Sequence, residues 1–203
     1  LSSPVTINSL ILGKIDNTAA SSLEFSYDAI SLGALTLAAG DLTVYPGGNI
    51  THTAGSGASI VGKINIDVQS GNAYVHGTIN ANSKGYGRGA GSGEGTDGNG
   101  GAGGAGHGGQ GGNGQTRAGG ASYGSLNQPI TLGSGGGDYS SQAGVGGGAI
   151  KLTVSGTTTI NGSISVNGGR SSTSSYYSHG SGGGSGGSIW IQTGSLNGSG
   201  NLL

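Results

Sequence analysis

GKINIDVQSGNAYVHGTINANSKG (62–85) and GAIKLTVSGTTTINGSISVNGG (148–169) are two copies of one pattern. With one extra residue allowed in the first, Ile64, Ile66, Val68, Val75, Gly77, Ile79, Ala81 and Asn82 fall on Ile150, Leu152, Val154, Ile160, Gly162, Ile164, Val166 and Asn167. A third copy, GSIWIQTGSLNGSG (187–200), puts Ile189, Ile191, Leu196 and Gly198 on the same register. Apolar side chains alternate with Asn65 and Asp67 in the first copy, with Lys151 and Thr153 in the second, and flank Trp190 in the third. Strict alternation bounded by Gly, Ser or Asn is the pattern of a half-buried strand of about five residues. The third copy follows the second by 39 residues, which reads as two turns of a coil of roughly 20 residues, each unable to bury its inner face alone. LTL (35–37), LTV (42–44) and NIT (49–51) continue the theme upstream, and VTINSLIL (5–12) is a β-branched, strand-like run.

Composition agrees with strands and excludes much else. The 203 residues include 51 Gly and 3 Pro, and only 7% are charged. Glycine costs about 1 kcal/mol per helical position relative to alanine, and no stretch is free enough of Gly, Ser, Thr and Asn to compensate. Seven Lys plus Arg and a net charge of −1 leave no basic footprint for nucleic acid. No apolar run approaches the ~20 residues of a membrane-spanning helix, so membrane insertion is not expected. The absence of Cys removes disulfides and thiolate chemistry. The chain begins at Leu1 and has no Met, which reads as a processed product or a piece of something longer.

The glycines are ordered as well as abundant. Positions 100, 103, 106, 109 and 112 are all Gly, a second register reads Gly101, Gly104, His107, Gln110, Asn113, and a third reads Ala102, Ala105, Gly108, Gly111, Gly114. Three residues per turn is the polyproline II period, so this stretch reads as an extended helix packed on the strands, with a flexible linker as the alternative. GSGGGSGG (180–187) and residues 133–148 are shorter instances.

GHGGQGGNG (106–114), YGSLNQPITLGSGGG (123–137), GGGAIKLTVSGTTTINGSISVNGG (146–169) and GGGSGGSIWI (182–191), in that order, resemble a glycine-rich β-solenoid module of large secreted or cell-surface proteins of plants, algae, oomycetes and ciliates. The resemblance covers roughly residues 60–200. It implies an extracellular, right-handed parallel β-helix-like structural part without established catalytic residues. The family's usual Cys positions are absent here. The expected fold is therefore all-β, a right-handed parallel β-helix (β-solenoid) over 35–203. Glycine-rich, partly polyproline II-like insertions at about 85–122, 133–148 and 168–187 would pack on it. An N-terminal strand-like segment, 1–34, would precede it and is a candidate for exchange between subunits.

Chemistry is sparse. Of the eight acids only Glu94 and Asp97 lie close together, within a glycine-rich run, where solvated loop residues are the better reading than a carboxylate pair or a calcium site. GGNGQTRAG (111–119) and GGGDYSSQA (135–143) both fail the calcium-binding nonapeptide pattern. His52, His76, His107 and His179 are spread over separate segments, and two histidines on glycine-rich stretches do not make a metal site. GYGRGAG (85–91) has no βαβ unit around it to make a dinucleotide loop. No catalytic residue, cofactor or metal is expected, and the chain is read as a non-enzyme.

Sequons at Asn49, Asn161 and Asn197 are candidate glycosylation sites at the frequency this composition yields by chance. Trp190 points outward by the alternation rule, where the aligned positions carry Lys151 and Asn65. It is either covered by a glycine-rich stretch or is a contact surface, together with Tyr176 and Tyr177. The leading expectation is an extracellular or cell-surface structural protein, a filament, fibre or matrix subunit whose partner is itself. The alternative is a glycan-binding adhesin using exposed Tyr and Trp. An ice-binding module with flat Gly/Thr faces fits less well, because Thr157, Thr158 and Thr159 are contiguous.

Overall fold

The computed structural model describes residues 5–14, 20–25, 35–55, 58, 62–98, 101–172 and 180–203. Their regular elements are thirteen strands and no helix: β1 (Val5–Ile7), β2 (Leu10–Leu12), β3 (Ser21–Phe25), β4 (Leu35–Leu37), β5 (Leu42–Val44), β6 (Gly48–His52), β7 (Ile64–Val68), β8 (Ala73–Val75), β9 (Thr78–Asn80), β10 (Ala149–Ile160), β11 (Ser163–Ser165), β12 (Ser188–Asn197) and β13 (Asn201–Leu202). Among these residues no helix is long and apolar enough to cross a membrane.

Every pairing is parallel. Val5 pairs with Leu35, Leu35 with Ile66, Ile66 with Leu152, and Leu152 with Ile191. The larger sheet runs β1-β4-β7-β10-β8-β5-β2, with β12 also on β10, and the smaller runs β13-β11-β9-β6-β3. β10 explains the path of the larger sheet. It is one continuous strand of 12 residues; its first half pairs with β7 and its second half with β8. Strand order therefore doubles back through β10 and gives one nearly closed, barrel-like sheet.

This arrangement corrects the expectation of a right-handed parallel β-helix, a β-solenoid of stacked ~20-residue coils carrying the glycine-rich insertions. Strands pair 30 residues apart where Val5 meets Leu35, not 20. One strand, β10, serves both halves of the sheet where the sequence pattern suggests two separate coil faces. The physical reason for the misreading is that alternating Ile and Val report a half-buried strand and nothing more. Alternation is the same whether strands stack in coils or line a closing parallel sheet.

The register of individual strands is as the sequence alignment places it: Ile64, Ile66 and Val68 on Ile150, Leu152 and Val154, and Ile189 and Ile191 on Ile150 and Leu152. A bulge between Val154 and Thr157 then shifts the third copy, so that Leu196 pairs with Thr158 rather than Ile160. Alternate side chains enter one core: Leu37, Leu42, Val44, Ile64, Ile66, Val68 and Leu152 from the larger sheet, Ile50, Ile79 and Ile164 from the smaller, all fully buried. Burying one such side chain contributes about 1.5–3 kcal/mol. At the two ends the cover thins: Leu10, Leu12, Leu23 and Phe25 at one, Ile189 and Ile191 at the other, are only partly buried. The described part of residues 1–34 pairs within its own chain, β1 on β4, β2 on β5 and β3 on β6.

Between β9 and β10, and again between β11 and β12, the glycine-rich segments hydrogen-bond to one another. In 102–106 the N–H groups of Ala102 and Ala105 donate to the carbonyls of Gly180 and Gly183, at 3.0 and 2.9 Å. Those of Gly103 and Gly106 donate to Thr96 and Gly93, at 3.0 and 2.8 Å, and that of Gly104 to Gly112, at 2.9 Å. Three successive residues face three different neighbours and the fourth returns to the first, as an extended chain with three residues per turn must. Side chains have no room between such neighbours. A Cβ on Gly103 would meet the Ala118 carbonyl oxygen at 1.9 Å.

Candidate binding face

The outer face of the larger sheet carries the chemistry. Because Ile64, Ile66, Ile150 and Leu152 turn inward, the residues between them turn outward. Asn65, Lys151 and Trp190 thus form one row across β7, β10 and β12, each paired with the next. The Lys151 ammonium lies 4.6 Å from the centroid of the Trp190 ring, a cation–π contact worth about 0.5–1 kcal/mol at an exposed site. Ile130, from the segment leading into β10, and Lys63, just ahead of β7, complete the walls of a cavity of about 170 Å³ beside Trp190. Burial holds the Lys63 amine below its ordinary range, and the cavity lining contains no carboxylate. Trp190 itself is half-buried.

A larger cavity of about 520 Å³ takes in Thr131 and Ile189, the chain neighbours of Ile130 and Trp190, together with His107, Tyr123, Leu126 and Pro129. His107 Nε2 is 2.8 Å from Thr131 Oγ1, and its ring lies 4.7 Å from that of Tyr123, tilted by 58°. Burial pushes the His107 pKa down, opposed by hydrogen bonding to the backbone of Gly186 and Gly187. The ring is therefore neutral at pH 7. The Tyr123 hydroxyl donates to the Leu132 carbonyl and accepts from Ser134 Oγ at 2.8 Å. Ser134 Oγ in turn accepts the Gly93 N–H at 2.9 Å. Burial also raises the Tyr123 pKa, so the phenol stays protonated. The His107–Thr131 contact has the reach of a base and nucleophile, but the lining holds no carboxylate to orient the imidazole. The arrangement can stack and hydrogen-bond.

Of the residues singled out in the sequence, Trp190 lies in this face, while Tyr176, Tyr177 and His179 lie outside the described residues. Asn49 is half-buried, donating to Ser22 Oγ at 3.3 Å and accepting from Thr78 Oγ1 at 2.8 Å. Asn161 and Asn197 are exposed. Asn161 Oδ1 accepts the Ser199 N–H at 3.2 Å.

Asp97 does not act with Glu94. Its Oδ1 accepts the Asp138 N–H at 2.5 Å, and Asp138 Oδ1 accepts those of Gln142 and Ala143 at 2.9 and 3.0 Å. These carboxylates hold a turn. Among the described residues no three of His, Asp and Glu gather as metal ligands.

Sequence reasoning missed Lys63 and Ile130 as members of this face. For Lys63 a signal was present, because the aligned position holds Ala149 in the second copy and Ser188 in the third, both small. Away from this face, His52, which the sequence places only as one of four scattered histidines, is fully buried. His52 Nδ1 lies 2.9 Å from the Thr53 carbonyl, Nε2 has no partner, and burial lowers its pKa. Compared with known proteins, the chain matches no family model, no curated protein and no solved structure.

Proposed function

We propose that this chain is an extracellular structural protein, a subunit or repeat of a cell-surface fibre or matrix, that works by associating end to end with copies of itself. One observation carries the proposal: the terminal strands β1, β2, β12 and β13 are uncharged and expose large aliphatic side chains at or beside them, Glu24 of β3 being the one charge on a terminal strand. Among the described residues, β12 pairs only with β10 and β13 only with β11. Their sequences, SIWIQTGSLN and NL, contain no charge, and Leu196 and Leu203 are 52% and 59% exposed. At the opposite end β1 and β2, VTI and LIL, are equally uncharged, and Ile11 is 63% exposed. Proteins that stay apart blunt such edges with Lys, Pro or bulges. A contact between two different ends is heterologous and propagates wherever its rotation does not close. The extracellular setting rests on the resemblance of residues 60–200 to secreted glycine-rich modules.

The test is assembly of the full chain, followed by light scattering and negative-stain microscopy across a concentration series. Rods or higher oligomers that grow with concentration are expected. Ile11→Lys at one end, and Leu196→Lys with Leu202→Lys at the other, should each raise the concentration needed by tenfold or more. A chain that stays monomeric at its solubility limit, or lysine variants that assemble like wild type, would overturn the proposal.

A further inference from the structure

We propose that the cavity between Trp190, Ile130, Lys63 and Lys151 binds a single acidic sugar, a hexuronate, with its ring against the apolar wall and its carboxylate between the two ammonium groups. Three features lead there. First, the size is that of one ring: about 170 Å³ lies below the roughly 300–1,000 Å³ of drug-sized ligand sites. Second, the walls combine two chemistries. Trp190 and Ile130 offer apolar surface for the C–H face of a pyranose, which shares the Trp190 ring with the Lys151 ammonium 4.6 Å from its centroid, and Asn65 supplies an amide that can both donate and accept.

Third, the charge is one-sided. Lys63 and Lys151 both line the cavity and no carboxylate does, and the described residues contain no ion pair that would neutralise either. Lys63 is partly desolvated, as its lowered pKa records. An anion arriving beside it restores the lost solvation and draws the proton onto the amine. Neutral sugars would gain the stacking and lose this term, so the site discriminates by charge. The inference concerns the outer face of β7, β10 and β12, whereas assembly concerns the free edge of β12, so binding is measured at concentrations below assembly, where either can fail without the other.

Trp190 is the only tryptophan in the chain, which makes its fluorescence a direct reporter. Titrating the full chain with sodium glucuronate at low ionic strength should change that emission saturably. Glucose, and sodium sulfate at matched ionic strength, should leave it unchanged. Each of Lys63→Gln and Lys151→Gln should weaken glucuronate binding about tenfold, the scale of one charge-assisted hydrogen bond, while the far-ultraviolet circular dichroism stays that of wild type. Raising the salt should weaken binding further. The proposal falls if glucuronate gives no saturable change, if glucose or sulfate reproduces the change, or if both glutamine variants bind like wild type.

Discussion

Replacing Gly182 by Ala tests whether the glycine-rich segments are a packed part of the molecule. A Cβ built at this buried position would sit 1.9 Å from the Gly103 carbonyl oxygen and 2.6 Å from its carbon, and both are backbone atoms. Real Cβ contacts essentially never fall below 3.0 Å, so the two chains must part by more than 1 Å. That displacement breaks into a run of hydrogen bonds: Gly182 N–H to the Gly137 carbonyl at 2.9 Å, Gly144 N–H to the Gly182 carbonyl at 2.9 Å, and Gly137 N–H to the Gly103 carbonyl at 2.8 Å. Overpacking costs about 1–3 kcal/mol. Loss of one or two buried hydrogen bonds at about 1 kcal/mol each brings the total to roughly 2–5 kcal/mol. For a chain of this size that lowers Tm by about 5–20 °C. Gly109→Ala is the control: a Cβ there meets nothing within 4 Å, and a less flexible unfolded chain makes it neutral or stabilising by up to about 1 kcal/mol. Thermal and urea unfolding, followed by circular dichroism and by Trp190 fluorescence, would give both values and show whether the two probes move together. If Gly182→Ala falls within 1 kcal/mol of wild type, a threshold set by the low end of the overpacking range, or if Gly109→Ala is as damaging, the packed reading is refuted.

Two further substitutions probe buried polar groups. Burial lowers the folded-state pKa of His52 from 6.5, so as the pH falls through 6.5 the unfolded chain takes up a proton that the folded chain refuses. Stability is then full above that pH and declines down to the folded pKa. His52→Leu should flatten urea-unfolding stability between pH 7 and 5, leaving a residual slope from His107, whose pKa is shifted in the same direction; an unchanged slope would count against the assignment. Tyr123→Phe keeps the ring beside His107 but leaves the Leu132 carbonyl and the fully buried Ser134 short of a partner. It should cost about 1–3 kcal/mol by urea unfolding, and a cost near zero would mean that water replaces the phenol.

Strand positions and their register were legible because each strand is short, alternates cleanly and occurs in aligned copies. Ile64, Ile150 and Ile189 hold equivalent places in the three copies. The closing of the sheet was not legible, because it depends on β10 running unbroken through Ser155 and Gly156, where small residues read as a break. Leu196 was misplaced for a related reason: the bulge before Thr157 inserts no recognisable residue. The binding face was half legible. Alternation turns Trp190 outward and puts Lys151 beside it, but Ile130 comes from a loop with no periodicity to place it. The three-residue register of 102–106 was visible as a count of glycines, and only the fold shows that each register serves a different neighbour.

The smaller sheet pairs Thr78 with Asn49, 29 residues apart by their side-chain bond, and then Thr78 with Ser163 across the whole of the first glycine-rich region. Closing so much longer a loop costs only about 1 kcal/mol more in chain entropy, since the cost grows with the logarithm of length. The sheet can therefore host an insertion of this size at little thermodynamic expense. The order of events on folding is another matter. Strands β1–β9 find their partners within a short span of chain, whereas β10 must wait for everything between Asn80 and Ala149 to be synthesised. Non-local pairing of this kind is slow, and between Asn80 and Ala149 the large aliphatic side chains are Leu126, Ile130, Leu132 and Val145 alone, which gives the waiting chain little to aggregate with.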